Sequence, residues 1–332
     1  MAASSNPITH RKSLIGSPSN FWLHSTRTGF DLTHPSSPSI PTPGSKITIQ
    51  TTTAPITISP SKSALIIIDM QNFFLSASFG RSRGAGHAAC DQLVTQAIPA
   101  ARKAGIRVIW LNWGLTDEEV SDIPPAVKRA FGFEAVDEDV GLSLDSFAGQ
   151  ENGVGVDKFG KQRFQGGHVL LENGKDGRIY RGLGSACGMV RLEDGSMMDA
   201  GRLLMRDTWN AALYPPLDSM FEDGKKLGKS PDVWIHKNRM SGMWGAKTAC
   251  EEFLEKEGIK ALFFTGVNTD QCVGGTFTDA FSKGYDCVLL SDGCGTTSPE
   301  FAQHCFEYNA ARTFGFCASC EEFKKGVDRI RS

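Results

Sequence analysis

The first 63 residues of this 332-residue chain contain a single acidic residue, Asp31, and only five Lys or Arg. They hold 8 of the 15 prolines and 23 Ser or Thr, a composition that lacks the apolar residues needed for a core of its own. We therefore predict that residues 1–63 form a Ser/Thr/Pro-rich N-terminal arm. No apolar segment of the kind found in secretory signals follows Met1, so we expect a cytoplasmic protein.

Long apolar runs and dense basic runs are also missing. The longest apolar runs, at 64–68 and 261–264, are the size of strands and far below the roughly 20 residues that cross a bilayer. The 35 Lys and Arg nearly balance the 37 Asp and Glu, so the chain has no electrostatic footprint for a polyanion. We expect a soluble protein with neither a nucleic acid nor a membrane as partner.

The nine cysteines do not form the pattern of a disulfide framework or a zinc finger. Their number is odd, and no second Cys or His pair accompanies the Cys-x-x-Cys at Cys317 and Cys320. We expect a reducing, intracellular compartment. We also expect Cys317 and Cys320 to be packing thiols that do not begin a helix.

From residue 64 onward, short apolar runs alternate with helical patterns. The predicted strands are 64–68, 106–111, 233–236, 261–265, 287–290 and 313–316, and the predicted helices are 87–104, 246–257, 270–283 and 299–312. Strands without clean alternation, separated by helices of ten to fifteen residues, indicate a parallel sheet covered on both faces. The predicted fold class is α/β, a three-layer αβα sandwich over residues 64–332.

The alternating pattern is lost between residues 117 and 200. In the 83 residues from 117 to 199, 14 are glycine, and only 168–171 and 178–180 look like strands, with 126–131 as a possible helix. This region is too long for an ordinary loop. We interpret it as an insertion over the carboxyl edge of the sheet, serving as a lid or an oligomer contact, because ligands of open α/β sheets bind at that edge.

Two charged residues directly follow predicted strands. Asp69 follows 64–68 and Lys237 follows 233–236, which makes both eligible for one cleft at the carboxyl edge. Asp69 could instead cap the next turn, and most lysines are solvated surface charges. A lysine beside a carboxylate in such a cleft can orient charges or hold an anion.

A cysteine stands where a third strand ends and a helix begins. Cys272 follows the segment 265–271, which contains a glycine turn, and falls in the first turn of the predicted helix. Helix N-termini lower the pKa of a thiol and offer N–H groups to an oxyanion, so we expect a nucleophile with a depressed pKa. The alternative is a buried, inert core cysteine.

Three segments together resemble one family. The segments 65–74, 237–244 and 264–273, followed by Asp292 and 299–303, resemble the isochorismatase-like cysteine hydrolase superfamily in content and in order. The resemblance covers the chain outside the arm and the insertion. It implies a six-stranded, mostly parallel sheet flanked by helices and an oligomer, either a dimer or a tetramer.

The resemblance also implies a catalytic triad, which falls on Asp69, Lys237 and Cys272. It implies a cis peptide bond at Val267–Asn268 and an oxyanion hole made by the backbone N–H groups of Asn268 and Cys272. In the implied reaction Asp69 takes the thiol proton, the thiolate attacks a carbonyl carbon, and a C–N bond breaks. Water then clears the thioester.

Departures from the family pattern narrow the chemistry. Nicotinamidases carry an Asp-x-His metal motif after the second strand, but 111–116 has neither residue, so we expect no metal ion and no cofactor. Isochorismatases, which cleave a vinyl ether, generally lack the nucleophilic cysteine, so Cys272 favours amide or ureide substrates. The segments 237–242 and 299–303 resemble those of ureidoacrylate, N-carbamoyl and biuret amidohydrolases.

Five residues beside these motifs are candidates for substrate binding: Asn72, Phe74, Trp113, Arg239 and Trp244. Arg239 could hold a carboxylate through its planar fork, with a structural ion pair as an equal alternative. The sequence thus predicts a metal-free cysteine amidohydrolase acting on a small linear amide or ureide. The alternatives are an isochorismate (vinyl ether) hydrolase and a non-catalytic binding or assembly module.

Overall fold

The computed structural model describes residues 9–143, 153–161, 168–170, 176–178 and 180–330. Its strands are β1 (Lys12–Ser17), β2 (Asn20–Ser25), β3 (Gly29–Leu32), β4 (Ile47–Ile49), β5 (Ile56–Ile58), β6 (Ser63–Ile68), β7 (Arg107–Trp113), β8 (Phe133–Ala135), β9 (Val154–Val156), β10 (His168–Leu170), β11 (Asp176–Arg178), β12 (Met189–Arg191), β13 (Met197–Asp199), β14 (Val233–Lys237), β15 (Ala261–Val267), β16 (Asp286–Gly295) and β17 (Phe316–Ala318). Its α-helices are α1 (Asn72–Leu75), α2 (Ala85–Gln92), α3 (Ile98–Ala104), α4 (Asp117–Ser121), α5 (Pro125–Ala130), α6 (Leu217–Gly224), α7 (Ala249–Lys256), α8 (Gly274–Ser282), α9 (Glu300–Asn309) and α10 (Cys320–Asp328).

The central sheet has six strands in the order β14-β7-β6-β15-β16-β17, and every neighbouring pair is parallel. All residues of β6 and β15 are buried, as expected for strands covered on both faces. Helices α2, α3, α6 and α10 pack on one face of the sheet, and α7 and α8 pack on the other. The predicted three-layer α/β fold is confirmed.

The predicted elements of this layer structure are present with shifted ends. The predicted helix 87–104 is α2 and α3 joined by the π-helical turn Leu93–Ala97, and the last strand begins three residues and ends two residues later than predicted. The expectation that Cys320 does not begin a helix is wrong, because Cys320 is the first residue of α10, where Ser319 caps the helix through the N–H of Glu322. Cys317 and Cys320 are nevertheless buried, as packing thiols would be.

The N-terminal segment, predicted as an arm, forms a sheet in the order β1-β2-β3-β5-β4. Four isoleucines at alternating positions of β4 and β5 are fully buried and belong to the same core as the face of the central sheet that carries α10. Composition alone misses this structure, because a few alternating apolar residues suffice when most of the core they fill belongs to the neighbouring layer.

One carboxylate of the body fastens this sheet. Asp286, the first residue of β16, is 2% exposed; its Oδ1 accepts a 2.8 Å hydrogen bond from Trp22 Nε1, and its Oδ2 lies 2.6 Å from His34 Nε2. The rings of Trp22 and Phe30 also contact Phe316 of β17. Polar and aromatic contacts therefore join the N-terminal sheet to the central sheet.

The region predicted as an insertion contains α4, α5 and three two-stranded ladders, β8–β9, β10–β11 and β12–β13. The predicted strand 168–171 corresponds to β10, whereas the predicted strand 178–180 shares only residue 178 with β11 and residue 180 is outside any strand. Residues 171 and 179 lie outside the described part of the chain. Tyr180 packs against Phe73 and Phe79, ring centroids 5.7 and 6.0 Å apart, so part of the region covers residues that follow β6. The domain boundaries stay a prediction.

No helix within the described ranges is long and apolar enough to cross a bilayer.

Candidate active site

Three strand ends bring a carboxylate, an ammonium group and a thiol into contact. Asp69 immediately follows β6, Lys237 is the last residue of β14, and Cys272 lies in the π-helical turn Thr269–Val273 after β15. Lys237 Nζ lies 2.9 Å from Asp69 Oδ2, and the Cys272 thiol is a hydrogen-bonding neighbour of the Asp69 carboxyl group. All three residues are at most 5% exposed, so the contact is shielded from bulk water.

The backbone around Asp69 aims its side chain across the sheet edge. Its φ of 53° is left-handed, a conformation uncommon outside glycine that turns the chain sharply out of β6. Asp69 Oδ1 accepts a 3.0 Å hydrogen bond from the backbone N–H of Trp113, the last residue of the neighbouring strand β7. The carboxylate is therefore fixed by the strand beside it.

Lys237 is held by backbone carbonyls as well as by the carboxylate. Its Nζ donates hydrogen bonds of 3.1 Å to the carbonyl oxygens of Arg239 and Met240. The Asp69 contact is an ion pair without the alignment of a directed hydrogen bond. Nζ also lies 4.2 Å from the centroid of the Trp113 ring, a cation–π contact. With 1% of its side chain exposed, Lys237 is not a solvated surface lysine.

Burial dominates the titration of the acidic groups in this cluster. Removal from water raises the pKa of Asp69, and the positive charge of Lys237 opposes part of that rise. Burial likewise raises the pKa of the Cys272 thiol to about 12. The expected depressed thiol pKa is therefore wrong, because loss of solvation outweighs the favourable charge of Lys237. At neutral pH the thiol keeps its proton until a base removes it, and the carboxyl group in contact with it is Asp69.

The chain ahead of Cys272 is tightly constrained. The peptide bond Val267–Asn268 is cis, as the family resemblance implies. Gly266 has a φ of 111°, and a Cβ there would overlap the carbonyl oxygen of Ile68 on β6, so only glycine fits. This glycine lets β15 lie close against β6 immediately before the nucleophile candidate.

Two further residues, absent from the candidates predicted from the sequence, contact Cys272 and Trp113. Met240 Sδ lies 3.2 Å from Cys272 Sγ. Gln71 is fully buried and donates from Nε2 to the carbonyl oxygens of Trp113 and Ala211, at 2.8 and 2.6 Å. Gln71 could have been found because a polar side chain two residues after a buried strand shares its carboxyl edge. No comparable sequence pattern predicts the conformation of the loop after Lys237, which positions Met240 against Cys272.

Three of the five substrate-binding candidates are buried or half-buried, and one of them, Trp113, contacts the cluster. Asn72 begins α1 and donates from Nδ2 to the carbonyl oxygen of Trp209, while its buried Oδ1 has no donor among the described residues. Phe74 packs on Phe73, and Trp113 is fully buried at the end of β7. Asn72 therefore presents an acceptor that a ligand N–H group could fill.

Arg239 and Trp244, the other two candidates, interact with each other. The Arg239 guanidinium lies 4.6 Å from the centroid of the Trp244 ring, and its NH2 donates to the carbonyl oxygen of Asp122 at 3.3 Å. Trp244 is 41% exposed and donates its indole N–H to Asn238 Oδ1. Only the carbonyl oxygen of Arg239 reaches Lys237, so these contacts favour the structural alternative for its side chain.

Two cavities lie at opposite edges of the sheet. One of about 380 Å³ adjoins Trp113 and is also lined by Trp209 and His236. A larger one, of about 470 Å³, lies at the amino ends of β6 and β7, beside Ser63 and Arg107. The first lies at the carboxyl edge, where parallel sheets bind ligands, and it shares Trp113 with this site, but Asp69, Lys237 and Cys272 do not line it. Within the described ranges no three His, Cys, Asp or Glu side chains are grouped to hold a metal ion.

Proteins of known name or structure are similar to this chain in sequence and in fold. A family model described as isochorismatase domain matches residues 196–321. The chain is 27% identical over 273 residues to the ureidoacrylate amidohydrolase RutB of Yersinia enterocolitica, covering 81% of this chain and 90% of that protein. The RutB of Agrobacterium fabrum is 24% identical over 276 residues, covering 81% and 91%. A crystal structure of the nicotinamidase PncA from Bacillus subtilis superposes with a TM-score of 0.49 at 17% identity, covering 78% of this chain and 99% of that one.

Proposed function

The chain belongs to the isochorismatase-like superfamily, and from that membership we propose that it is a cysteine amidohydrolase that cleaves a C–N bond of a small linear amide or ureide. The observation that carries the proposal is the buried contact of Asp69, Lys237 and Cys272 at the carboxyl edge of the sheet. Relatives named ureidoacrylate amidohydrolase align over about four fifths of the chain, which supports the substrate class.

The first half of the proposed reaction forms a thioester. As the Asp69 carboxylate takes the thiol proton, the sulfur electron pair of Cys272 forms an S–C bond to the substrate carbonyl, and the carbonyl π pair moves to oxygen. When the intermediate collapses, the C–N bond breaks and Asp69 returns the proton to the departing nitrogen. Lys237 stabilises the carboxylate and the negative charge beside it through these steps.

The second half restores the enzyme. Asp69 removes a proton from water as the water oxygen attacks the thioester, and the thiol leaves with that proton. The backbone N–H groups of Asn268 and Cys272 are the proposed oxyanion hole, which would stabilise the negative oxygen in both halves. Each proton transfer is assigned to a group of the chain itself, so the proposed reaction uses no metal ion or cofactor.

Substrate binding is proposed for Asn72, Phe74 and Trp113. The unpaired Oδ1 of Asn72 suits an N–H donor of an amide or ureide, since an unpaired buried acceptor is costly unless a ligand fills it. Phe74 and Trp113 would provide apolar walls. The existing partners of the Arg239 and Trp244 side chains leave these two residues as the weaker candidates.

The test is turnover of a panel that contains ureidoacrylate, biuret, N-carbamoyl amino acids, nicotinamide and isochorismate. We expect ammonia release from at least one linear ureide or amide, and no consumption of isochorismate. The protein carries Cys305→Ser, which removes the exposed thiol, and a parallel sample is first treated with iodoacetamide. Loss of turnover on treatment supports a cysteine hydrolase. Consumption of isochorismate alone would favour the vinyl ether reaction, and turnover of no panel member would favour a binding module.

We also propose a cytoplasmic homo-oligomer, either a dimer or a tetramer. The nine cysteines, all in the described part of the chain, form no disulfide bonds, as is usual in a reducing compartment. Every residue of α9 is at least partly exposed, and Phe301 and Tyr308 lie on it with 74% and 62% of their surface accessible. Large apolar groups exposed together mark contact surfaces. Light scattering after size exclusion should give a mass of two or four chains, and a strict monomer would refute this proposal.

A further inference from the structure

Trp113 contacts all three members of the cluster. Its backbone N–H donates to Asp69 Oδ1 at 3.0 Å, and its ring lies under Lys237 Nζ at 4.2 Å. Its indole group is a hydrogen-bonding neighbour of the Cys272 thiol, and this contact favours the charged form of the sulfur. No other residue described above has all three contacts.

The indole N–H of Trp113 differs from those of four other tryptophans of the chain. These four each donate to a side-chain acceptor: Trp22 to Asp286, Trp110 to Asp232, Trp234 to His236 and Trp244 to Asn238. Trp113 Nε1 is fully buried, yet it has no well-aligned acceptor within the described part of the chain. An unpaired buried donor costs free energy and calls for a specific explanation.

The reaction itself supplies an acceptor. In the resting site the sulfur is a neutral thiol, a weak acceptor that the indole N–H faces without full alignment. When Asp69 takes the thiol proton, the sulfur gains a negative charge, and a hydrogen bond to an ionised group is about twice as strong as one between neutral groups. The donor thus gains most when the thiolate forms, which is the condition for accelerating that step.

We propose that Trp113 is a catalytic residue whose indole N–H donates to the Cys272 thiolate as it forms. The inference rests on the proposed function in taking Cys272 as the nucleophile, and it gives Trp113 a catalytic role in addition to the apolar wall proposed above. The donor is held in place by the rest of the residue. The Trp113 backbone is hydrogen-bonded to Asp69 and Gln71, and its ring packs edge-on against Phe131 with ring centroids 5.2 Å apart.

The test replaces Trp113 with phenylalanine, which keeps an aromatic ring and removes the N–H. All proteins carry Cys305→Ser, and the rate of Cys272 alkylation by iodoacetamide is followed by mass spectrometry across pH. We expect Trp113→Phe to slow alkylation of Cys272 by about 10- to 100-fold and to lower kcat by a similar factor, with KM within about twofold. The matched control is Trp110→Phe, since Trp110 is equally buried three residues earlier on the same strand.

Each other outcome overturns the inference. Alkylation of Trp113→Phe at the wild-type rate would show that the N–H does not act on sulfur, and a raised KM with unchanged kcat would show that the role of Trp113 is confined to substrate binding. An equal effect in Trp110→Phe would reduce the role of Trp113 to packing. If Trp113→Phe does not fold, benzothienylalanine at position 113 keeps the two-ring shape without the N–H. Because alkylation needs no substrate, absence of turnover in the wild type would refute the proposed function and leave this comparison decisive.

Discussion

Replacing Cys272 with serine is expected to lower kcat by roughly 10⁴- to 10⁶-fold, the range seen when a hydrolase loses its nucleophile. Serine keeps the size and the hydrogen-bonding capacity of the side chain. Its hydroxyl is a much weaker acid than the thiol, whose own pKa burial already raises to about 12. A carboxylate such as Asp69 could not take the hydroxyl proton, so the covalent step would stop.

The matched control for this variant is Cys250→Ser. Cys250 lies on α7, is 1% exposed and does not belong to the cluster, so the same chemical change there tests stability alone. We expect kcat of Cys250→Ser to remain within about twofold of the wild type for folded protein. Retention of a tenth or more of the activity in Cys272→Ser would place the nucleophile elsewhere.

The second large effect concerns the buried pair Asp69 and Lys237. We expect Asp69→Asn and Lys237→Met each to lower kcat by roughly 10³- to 10⁴-fold, since one removes the proposed base and the other the charge that holds it. Each change also leaves an uncompensated charge in a site with at most 1% side-chain exposure. The free energy of unfolding should therefore fall by about 3–5 kcal/mol in each single variant.

The stability loss of Lys237→Met should depend on pH. Burial raises the pKa of Asp69, and without the opposing charge of Lys237 that pKa rises further. The folded state then binds a proton more tightly than the unfolded state does, so stability falls as pH rises through the folded pKa and recovers as pH falls below it. Urea unfolding at several pH values should show the smallest difference from the wild type at acidic pH.

The double variant Asp69→Asn/Lys237→Met separates stability from catalysis. It contains no unpaired buried charge, so we expect it to regain most of the stability lost in either single variant and to stay inactive. Strict additivity of the two stability losses would contradict the ion pair. Activity in the double variant would contradict the roles of both residues.

The positions of the cluster follow from the sequence because parallel strands end at one edge of a sheet. Asp69, Lys237 and Cys272 each follow an apolar run, and the structure brings them into contact for that reason. The high pKa of the thiol could not be predicted in this way, since it depends on how completely the surrounding layers exclude water. The sequence shows that Cys272 stands at the start of a helix, which favours a low thiol pKa. It does not show the burial of the thiol, which has the larger effect on that pKa.

Two other differences have the same origin in contacts between distant segments. The N-terminal strands have too few apolar residues for a core of their own, but the isoleucines of β4 and β5 fill a core that belongs mostly to the central layer. Arg239 stands near Lys237 in the sequence, yet only its carbonyl oxygen contacts Lys237, and its guanidinium packs on Trp244. The local sequence pattern predicts a helix or strand. The contacts of its side chains depend on segments that are distant in the sequence.

The fastening of the N-terminal sheet by Asp286 has a practical consequence for expression. A shortened protein that begins at residue 64 would retain the buried carboxylate of Asp286 but lose the indole of Trp22 and the imidazole of His34. It would also open the apolar surface that the isoleucines of β4 and β5 cover, and would tend to aggregate. We expect proteolytic nicking in the loop between β3 and β4 to leave both fragments associated. The boundary after residue 63 that composition suggests is therefore unsuitable as the start of a shortened protein.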